Sequence, residues 1–490
     1  MDSDGQRGDP LSVYLSSFLA DELLPWALTF PTPPPAFLHI PTSTGEDIFS
    51  FAREFVPEVI GRDSELEGLQ AFRDAPGAFV WTWLTGDAGA GKSRLALEWL
   101  KRGATQKRAG YCRRYDVGFL NHDHGAVDWK TWQPRRPTLI VVDDAGASAG
   151  IKATIIDTLC HRHREQSLRR PVRVLLVERF EPSDFTRLGG EEAGGATRLP
   201  AIRLALLDDE NVIKLILAMT EALGKDPNEL LPFVSNIPRL SGGQPLLVMM
   251  ASEAFFAEKG VPDWTSRRDL LDRQVRRLTN KLRDAGLDEC CFPLLALATM
   301  VRGLTLAEAR TYGCAEPCQR AAVYKHILGS GARPDIDIPA VTPDLLGEAF
   351  ILDQTKDMAG EDIQRFMDTA WTLTAARQGP EERAEDLRAT WTMTFLRHDF
   401  PQDTTVRRLD AFPDKVPEAG KNWGRVRVAL TGLTITDGPW EETWQELKTI
   451  AQKQHGKGTT ISVALARGAV NAIHGYGKAQ RWHDMEKTIA

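Results

Sequence analysis

Short apolar runs alternate with amphipathic stretches along the first half of the chain. From Phe49 to about Leu206, five apolar runs are separated by segments in which apolar residues recur with helical spacing. The predicted strands are 79–86, 110–120, 137–144, 172–180 and 201–207. Buried parallel strands have this continuous apolar character, and helices connect them. The pattern therefore predicts a doubly wound, mainly parallel α/β sheet with helices on both faces.

After Leu207 the strand signals become rare and helical periodicity takes over. The predicted helices are 208–223, 245–260 and 262–286. Residues 287–356 mix helical stretches with a short extended piece at 336–343, which indicates a winged-helix-like unit. The pattern from there to Ala490 is again helical. The second half of the chain is therefore expected to be mainly α-helical.

Composition narrows the class of protein. A chain of 490 residues with 42% hydrophobic and 26% charged residues is expected to form several soluble globular domains. The net charge of -7 argues against bulk attraction to nucleic acid. Six cysteines without a recurring framework favour reduced thiols in a cytoplasm. The apolar stretch 13–30 contains two acids and a proline, so it predicts a short amphipathic helix and no membrane contact.

A glycine-rich turn joins the first predicted strand to a predicted helix. Residues 86–93, GDAGAGKS, fit the pattern of a phosphate-binding P-loop in the context that the pattern requires. Glycines allow backbone N–H groups to point at phosphates, Lys92 is expected to reach the β- and γ-phosphates, and Ser93 to ligate Mg²⁺. The predicted ligands are ATP or ADP with Mg²⁺, bound by Gly86, Ala88, Gly89, Ala90, Gly91, Lys92, Ser93 and Arg94.

Two carboxylates end a later apolar run, LIVVDD at 139–144. Asp143 is predicted to hold Mg²⁺ through water, and Asp144 to activate the attacking water. Arg179 ends the next run, where a cation could sense the γ-phosphate, although a surface role is the alternative. In doubly wound sheets, ligands bind at the carboxyl ends of the strands, where all these residues are expected to lie. Asp144, Lys92 and Arg179 are the predicted catalytic residues.

Two flanking segments carry a resemblance to a family. VIGRDSEL (59–66) precedes the P-loop, and RLSGGQPLLVMMAS (239–252) follows the sheet. With the P-loop, the double-Asp strand and Arg179, they resemble the STAND class of signalling ATPases, which includes NLR receptors and apoptosome ATPases. The resemblance implies that Ile60, Gly61 and Arg62 lie against adenine and that Pro245 contacts the nucleotide. The winged-helix-like region lacks a Met-His-Asp motif, so the resemblance does not identify how ADP would be locked.

The resemblance also implies an organisation and a role. The expected parts are an appendage with a proline-rich linker (1–48), an α/β P-loop NTPase domain (49–207), a helical lid (208–286), a winged-helix-like domain (287–356) and a helical sensor region (357–490). The last part contains one tetratricopeptide-like repeat at 469–489. The implied function is a slowly hydrolysing ATP switch, bacterial in type and active in signalling or antiviral defence. Its implied partners are copies of itself, assembled under ATP, and a protein trigger or effector.

Two other classes remain open. An AAA+-type, winged-helix, DNA-associated ATPase also joins a P-loop domain to a winged helix, but needs a basic face for DNA. The arginine-rich stretch 267–283 is most simply a solvated helix face, so sequence-specific DNA binding is not expected. A non-hydrolysing nucleotide-binding scaffold is the third class, and the paired Asp143 and Asp144 argue against it.

Overall fold

A computed structural model describes ten segments of the chain. They are residues 35–41, 48–105, 115–120, 127–146, 149–179, 197–258, 266–311, 321–328, 336–377 and 388–409. The predicted amphipathic helix at 13–30 and the tetratricopeptide-like repeat at 469–489 lie outside these segments. Among the described helices, none combines the length and the apolar character that crossing a bilayer would require.

The nucleotide-binding part is built on one six-stranded sheet. Its strands are β1 (Leu38–His39), β2 (Phe79–Thr85), β3 (Asp116–Leu120), β4 (Thr138–Val142), β5 (Val172–Glu178) and β6 (Ile202–Arg203). Their spatial order is β1-β3-β4-β5-β2-β6, and all pairs are parallel except β1 with β3. Strands β2, β4 and β5 are buried along their whole length, as their continuous apolar runs predicted. The doubly wound α/β P-loop fold is thereby confirmed.

One strand comes from the segment interpreted as a linker. Leu38 pairs with Leu120, and His39 with Phe119, so residues 38–39 form an antiparallel edge of the sheet. Phe37 packs edge-on against Trp129 at a centroid distance of 5.2 Å. The sheet therefore includes residues that precede the predicted domain boundary at residue 48. The sequence did not reveal this strand, because two residues are too few to show alternation.

Helices cover both faces of the sheet. They are α1 (Asp63–Asp74), α2 (Lys92–Thr105) and α3 (Ala149–Arg164). On one face, α1 and α2 bury Leu69 and Trp99 against the strands, and the Trp99 indole N–H donates to the Leu69 carbonyl at 2.9 Å. On the other face, α3 buries Leu159 among residues of β2, β4 and β5. This double layer fixes the loops at the carboxyl ends of the strands.

The segment predicted as a lid is helical, and residues of its last two helices, among them Leu247 and Leu271, share an apolar core with the helices that follow. It contains α4 (Asp209–Ala222), α5 (Pro227–Val234), α6 (Ile237–Ser241), α7 (Pro245–Glu258) and α8 (Arg267–Asp284). Asp208 caps α4 by accepting from the Asn211 N–H, and Ser266 with Asp269 forms a capping box at α8. Residues of α4, α6 and α7 share one apolar core. The helices predicted at 208–223, 245–260 and 262–286 thus exist with shifted ends.

The remaining described helices form what we call the C-terminal unit, residues 287–409 where described. They are α9 (Phe292–Met300), α10 (Leu306–Thr311), α11 (Ala321–Leu328), α12 (Asp344–Thr355), α13 (Gly360–Arg377), α14 (Arg388–Asp399) and α15 (Thr404–Leu409). An antiparallel bridge joins Leu304 to Ile338, at the extended piece predicted as a wing. Phe350 and Phe366 lie in one continuous core. Residues on both sides of the predicted boundary at 356 therefore belong to the same apolar core.

Candidate nucleotide-binding site

The P-loop joins β2 to α2 and contacts the lid. Gly89 adopts a left-handed φ of 73°. A Cβ atom on Gly89 would lie 3.0 Å from Leu246, whose backbone N–H donates to the Gly89 carbonyl at 3.2 Å. Gly91 is also left-handed, with a φ of 93°, but its Cβ position has no atom within 4 Å from the described residues beyond its own stretch of chain. The loop is therefore tight against α7 on one side and open on the other, as a phosphate cradle requires.

Lys92 lies folded into this loop. Its ammonium group donates to the carbonyls of Gly86 at 2.7 Å and Asp87 at 2.9 Å. Burial, reinforced by the nearby Arg179 charge, lowers the pKa of Lys92. An ammonium has three donors, so two carbonyls leave one for a phosphate oxygen. The predicted phosphate contact therefore fits the geometry.

The two predicted Mg²⁺ ligands lie together. The Ser93 hydroxyl donates to Asp143 Oδ2 at 2.9 Å, although 50 residues separate them in the sequence. Burial and the neighbouring Asp144 charge raise the pKa of Asp143 to about 7. Hydroxyl and carboxylate oxygens are the donors that Mg²⁺ takes from P-loop proteins, with phosphate and water oxygens completing its shell. In the described segments, no group of three or more His, Cys, Asp or Glu could hold a metal ion by itself.

Asp144 occupies a constrained turn directly after β4. Its φ is 51°, and its backbone N–H donates to Asp143 Oδ1 at 3.1 Å. Buried Glu178 braces this turn, because its carboxylate accepts from the N–H groups of Gly146 at 2.9 Å and Arg179 at 2.8 Å. Burial and the Asp144 charge raise the pKa of Glu178. Sequence analysis did not single out Glu178, although its place at the end of β5 was a usable signal.

Arg302 reaches Asp144 from the C-terminal unit. Its Nη2 donates to Asp144 Oδ1 at 3.2 Å and to Asp344 Oδ2 at 2.6 Å, and its Nη1 bonds the other Asp344 oxygen. Burial alone would lower the pKa of Arg302, but the charges of Asp144 and Asp344 raise it well above its ordinary value. The predicted water-activating carboxylate is therefore paired with a cation that the sequence analysis did not identify.

Arg179 follows β5, as predicted, but its side chain faces the C-terminal unit. Its guanidinium donates to Glu348 and Asp399 and lies 3.9 Å from the Phe395 ring centroid. Burial alone would lower the pKa of Arg179, but the charges of Glu348 and Asp399 raise it above its ordinary value. Two acidic side chains hold the guanidinium in this arrangement, and the γ-phosphate contact predicted for Arg179 stays a prediction.

The predicted adenine-side residues differ in what they contact. Arg62 is buried and donates to the carbonyls of Ala205 at 2.7 Å and Ala90 at 3.1 Å, so it ties the P-loop to the segment after β6. Gly61 has a left-handed φ of 66°, and a Cβ there would lie 2.6 Å from Asn211. Ile60 packs on the lid core.

Two further residues predicted to bind the nucleotide are Pro245 and Arg94. Pro245 begins α7, directly before the residue that bonds Gly89. Arg94 instead donates to the Pro57 carbonyl at 2.7 Å and pairs with Glu54 at 3.3 Å. The Arg94 side chain thus anchors the segment before α1, and its predicted nucleotide contact stays a prediction.

A His-Asp pair lies close enough to the P-loop for the charge of Asp87 to act on it. His398 and Asp399 end α14, and their side chains are 3.1 Å apart. The bond to Asp399 raises the pKa of His398, and the carboxylate of Asp87 in the P-loop contributes. This pair lies beyond the region 287–356, which lacks a Met-His-Asp motif.

The chain shows low similarity to several solved structures. No protein-family model and no curated protein matches the chain. Among solved structures, the chain is similar to the Aeropyrum pernix ORC2 protein (ADPNP-ADP complexes) with 16% identity over 60% of this chain and 87% of that one, at a TM-score of 0.34. It is similar to the Thermotoga maritima RuvB Holliday junction branch migration motor with 15% identity over 55% of this chain and 92% of that one, at a TM-score of 0.30. A third similar structure is Pyrobaculum aerophilum Cdc6p, with 14% identity over 65% of this chain and 100% of that one, at a TM-score of 0.30. At these values the similarity does not place the chain in any of their families.

Proposed function

We propose that this chain is a P-loop ATPase of the switch type, similar in design to STAND proteins, whose turnover is controlled by its C-terminal unit. The observation that carries the proposal is the pairing across the site. Asp144 is held by Arg302, and Arg179 is held by Glu348 and Asp399. A motor or metabolic kinase needs these groups free for substrate, whereas a switch gains from holding them until a signal arrives.

The chain's own residues supply the parts of the proposed reaction. Lys92 and the backbone N–H groups of the P-loop would bind the phosphates. Ser93 and Asp143 would hold Mg²⁺, which would neutralise charge on the phosphates when bound. Asp144 would take the proton of the attacking water, and Arg179 would stabilise the transferring phosphoryl group once released.

Two measurements test this function. Denatured preparations of the full chain should release ADP or ATP, identified by chromatography, and titration calorimetry should show Mg²⁺-dependent binding of both. Light scattering with ATP, and with ADP as the control, tests the proposed homo-oligomer. Absence of nucleotide binding would overturn the proposal, and ATP binding without growth in size would leave a monomeric ATPase.

A DNA-associated AAA+-type ATPase is the alternative function, and the arginines of α8 bear on it. Arg268 pairs with Asp272 and Asp403, each at 2.8 Å, and Arg277 pairs with Glu253. Paired arginines offer less charge to phosphates than a free basic face. This observation favours the switch, and a salt-dependent DNA-binding assay separates the two.

A further inference from the structure

The turn that carries Arg302 is built to hold one conformation. Arg302 has a left-handed φ of 62°, and Gly303 follows with a φ of 103°. A Cβ on Gly303 would lie 2.7 Å from Ile336, so the turn packs tightly. Arg377 donates to the carbonyls of Val301 at 2.8 Å and Gly303 at 2.6 Å, on either side of Arg302. The backbone of Arg302 is therefore fixed within the C-terminal unit.

The Arg302 side chain is fixed in the same way. Both terminal nitrogens bond Asp344, the first residue of α12 in the same unit, and only Nη2 bonds Asp144. A two-pronged arginine–carboxylate pair is directional and strong. The guanidinium is thus oriented by its own unit and presented to Asp144 across the site.

This contact has a direct chemical consequence for Asp144. A general base needs a lone pair that is free to take a proton from water. A guanidinium bonded to a carboxylate oxygen occupies a lone pair that would otherwise accept a proton from water. In this arrangement Arg302 holds Asp144 in a form that is poorly suited to activating water.

The pairings across the site are reciprocal. The C-terminal unit supplies Arg302 to Asp144, and it supplies Glu348 to Arg179. Moving the unit away breaks both pairs at once. Arg302 would keep Asp344 after such a movement, so release leaves no unpaired arginine on the unit. The weaker, single contact to Asp144 is the one that separates.

We propose that Arg302 is a positioning residue that inhibits hydrolysis by pairing with Asp144, and that Asp344 orients it for this purpose. The inference rests on the proposed function, since it requires Asp144 to act on ATP. It adds a residue from the C-terminal unit to the control of the ATPase centre. Arg302 itself neither binds the phosphates nor supports their transfer.

The test compares Arg302→Gln, Arg302→Lys and the wild-type full chain in ATP hydrolysis and ATP-binding assays. We expect Arg302→Gln to raise kcat on the order of tenfold, a usual size for coupling between sites, with unchanged ATP affinity. Lysine keeps the charge without the fork that bridges two carboxylates, so its increase should be smaller. The control is Arg283→Gln, because Arg283 pairs with Glu289 at 2.7 Å on the exposed side of α8.

A double variant separates this role from general loosening of the structure. In an Asp144→Asn background, Arg302→Gln should leave kcat unchanged, because the group that Arg302 restrains is gone. The side chains of Asp144 and Asp344 are 32% and 34% exposed, so removal of their cation leaves no fully buried charge and the fold should persist. Should Arg302→Gln fail to fold, Arg302→Lys carries the test.

Three results would overturn the inference. With ATP bound normally, an unchanged or lowered kcat in Arg302→Gln overturns it alone and leaves the proposed function intact. An equal rise of kcat in the Asp144→Asn background also overturns it, since the effect would then bypass Asp144. Absence of ATP binding by every protein, including the wild type, overturns the proposed function and the inference together.

Discussion

Arg179, at the end of β5, donates a hydrogen bond to Glu348, which lies 169 residues later in the chain. Both side chains are 4% exposed. A buried ion pair contributes little net stability, but removal of one partner leaves an uncompensated charge. The contact therefore does not by itself indicate a structural role. It suits a protein that switches between a state in which Arg179 is paired and one in which it is released.

Asp399 shares Arg179 and predicts a pH dependence of this contact. Burial alone would raise the pKa of Asp399, but the Arg179 charge and the hydrogen bond from His398 leave the pKa below its ordinary value of 3.8. A carboxyl group with a depressed folded-state pKa stabilises the fold above its unfolded pKa, and this stability is lost as the pH falls. We expect Asp399→Asn to lower the unfolding temperature at pH 6 and to differ less from the wild type as the pH falls below about 4.

The control for that experiment is Asp353→Asn. Asp353 pairs with Lys356 on the surface of α12 at 2.6 Å, with side chains 28% and 51% exposed. Exposed pairs contribute about 1 kcal/mol or less, so this variant should track the wild type at every pH. An Asp399→Asn curve parallel to the wild type down to pH 3 would contradict the prediction.

Lys92→Ala should abolish ATP binding without unfolding the chain. The ammonium donates to two loop carbonyls, so its loss should cost roughly 1 to 3 kcal/mol of stability for the acceptors that it leaves unpaired. Loss of the charge that meets the phosphates should lower ATP affinity about a hundredfold or more. Titration calorimetry with ATP measures the affinity, and circular dichroism monitors the fold.

Lys101→Ala is the matched control for that variant. Lys101 lies on the same helix, α2, and pairs with Glu54 at the surface. It should bind ATP as the wild type does. Near-normal affinity in correctly folded Lys92→Ala would contradict the assignment of the phosphate site.

Ser93→Ala should weaken ATP binding only when Mg²⁺ is present. Ser93 contacts Asp143 at 2.9 Å, so its hydroxyl serves the metal side of the site. We expect about tenfold weaker affinity with Mg²⁺ and no change in EDTA. Ser64→Ala, at an exposed serine of α1, is the control. Equal weakening with and without Mg²⁺ would place Ser93 on the phosphates instead.

The sheet and the Ser93–Asp143 pair could be predicted because both follow from local pattern. Continuous apolar runs specify buried parallel strands, and the carboxyl ends of such strands converge at one edge. The positions of Ser93 and Asp143 after their strands were therefore enough to predict that the two residues lie together. The short pairing of Leu38–His39 with β3 gave no such signal, because two residues show no period.

The pairing of Arg302 with Asp144 could not be predicted in this way. The two residues are 158 positions apart and belong to different units. Their contact depends on how the C-terminal unit packs on the sheet, which no local periodicity specifies. The same holds for Arg179, whose position after β5 was predicted correctly while its partners, Glu348 and Asp399, were not.

Duplex DNA should bind weakly and without sequence preference at physiological salt. Most α8 arginines with described contacts pair with carboxylates, and Arg276 donates to the Asp272 carbonyl at 3.3 Å on an exposed face. Anisotropy titrations with unrelated duplexes should give a Kd of about 1 μM or weaker. Tight binding to one duplex that is lost in Arg276→Ala and Arg277→Ala would favour the DNA-associated alternative.

Asp144→Asn should separate ATP binding from hydrolysis. The amide preserves the shape of the side chain but cannot take the proton of the attacking water, so hydrolysis should slow by roughly a hundredfold or more. ATP affinity should change little, because Lys92, Ser93 and Asp143 remain in place. Single-turnover hydrolysis and titration calorimetry measure the two effects on one preparation.

The same variant tests the assembly that we propose. A ligand that stays bound keeps the population that it favours, so Asp144→Asn with ATP should accumulate as a larger, persistent species in light scattering. The amide also loses the charge that pairs with Arg302, which should ease release of the C-terminal unit. Lys92→Ala should remain small under the same conditions, because it lacks the ligand. If Asp144→Asn binds ATP, does not hydrolyse it and stays monomeric, the assembly is wrong while the nucleotide site stands.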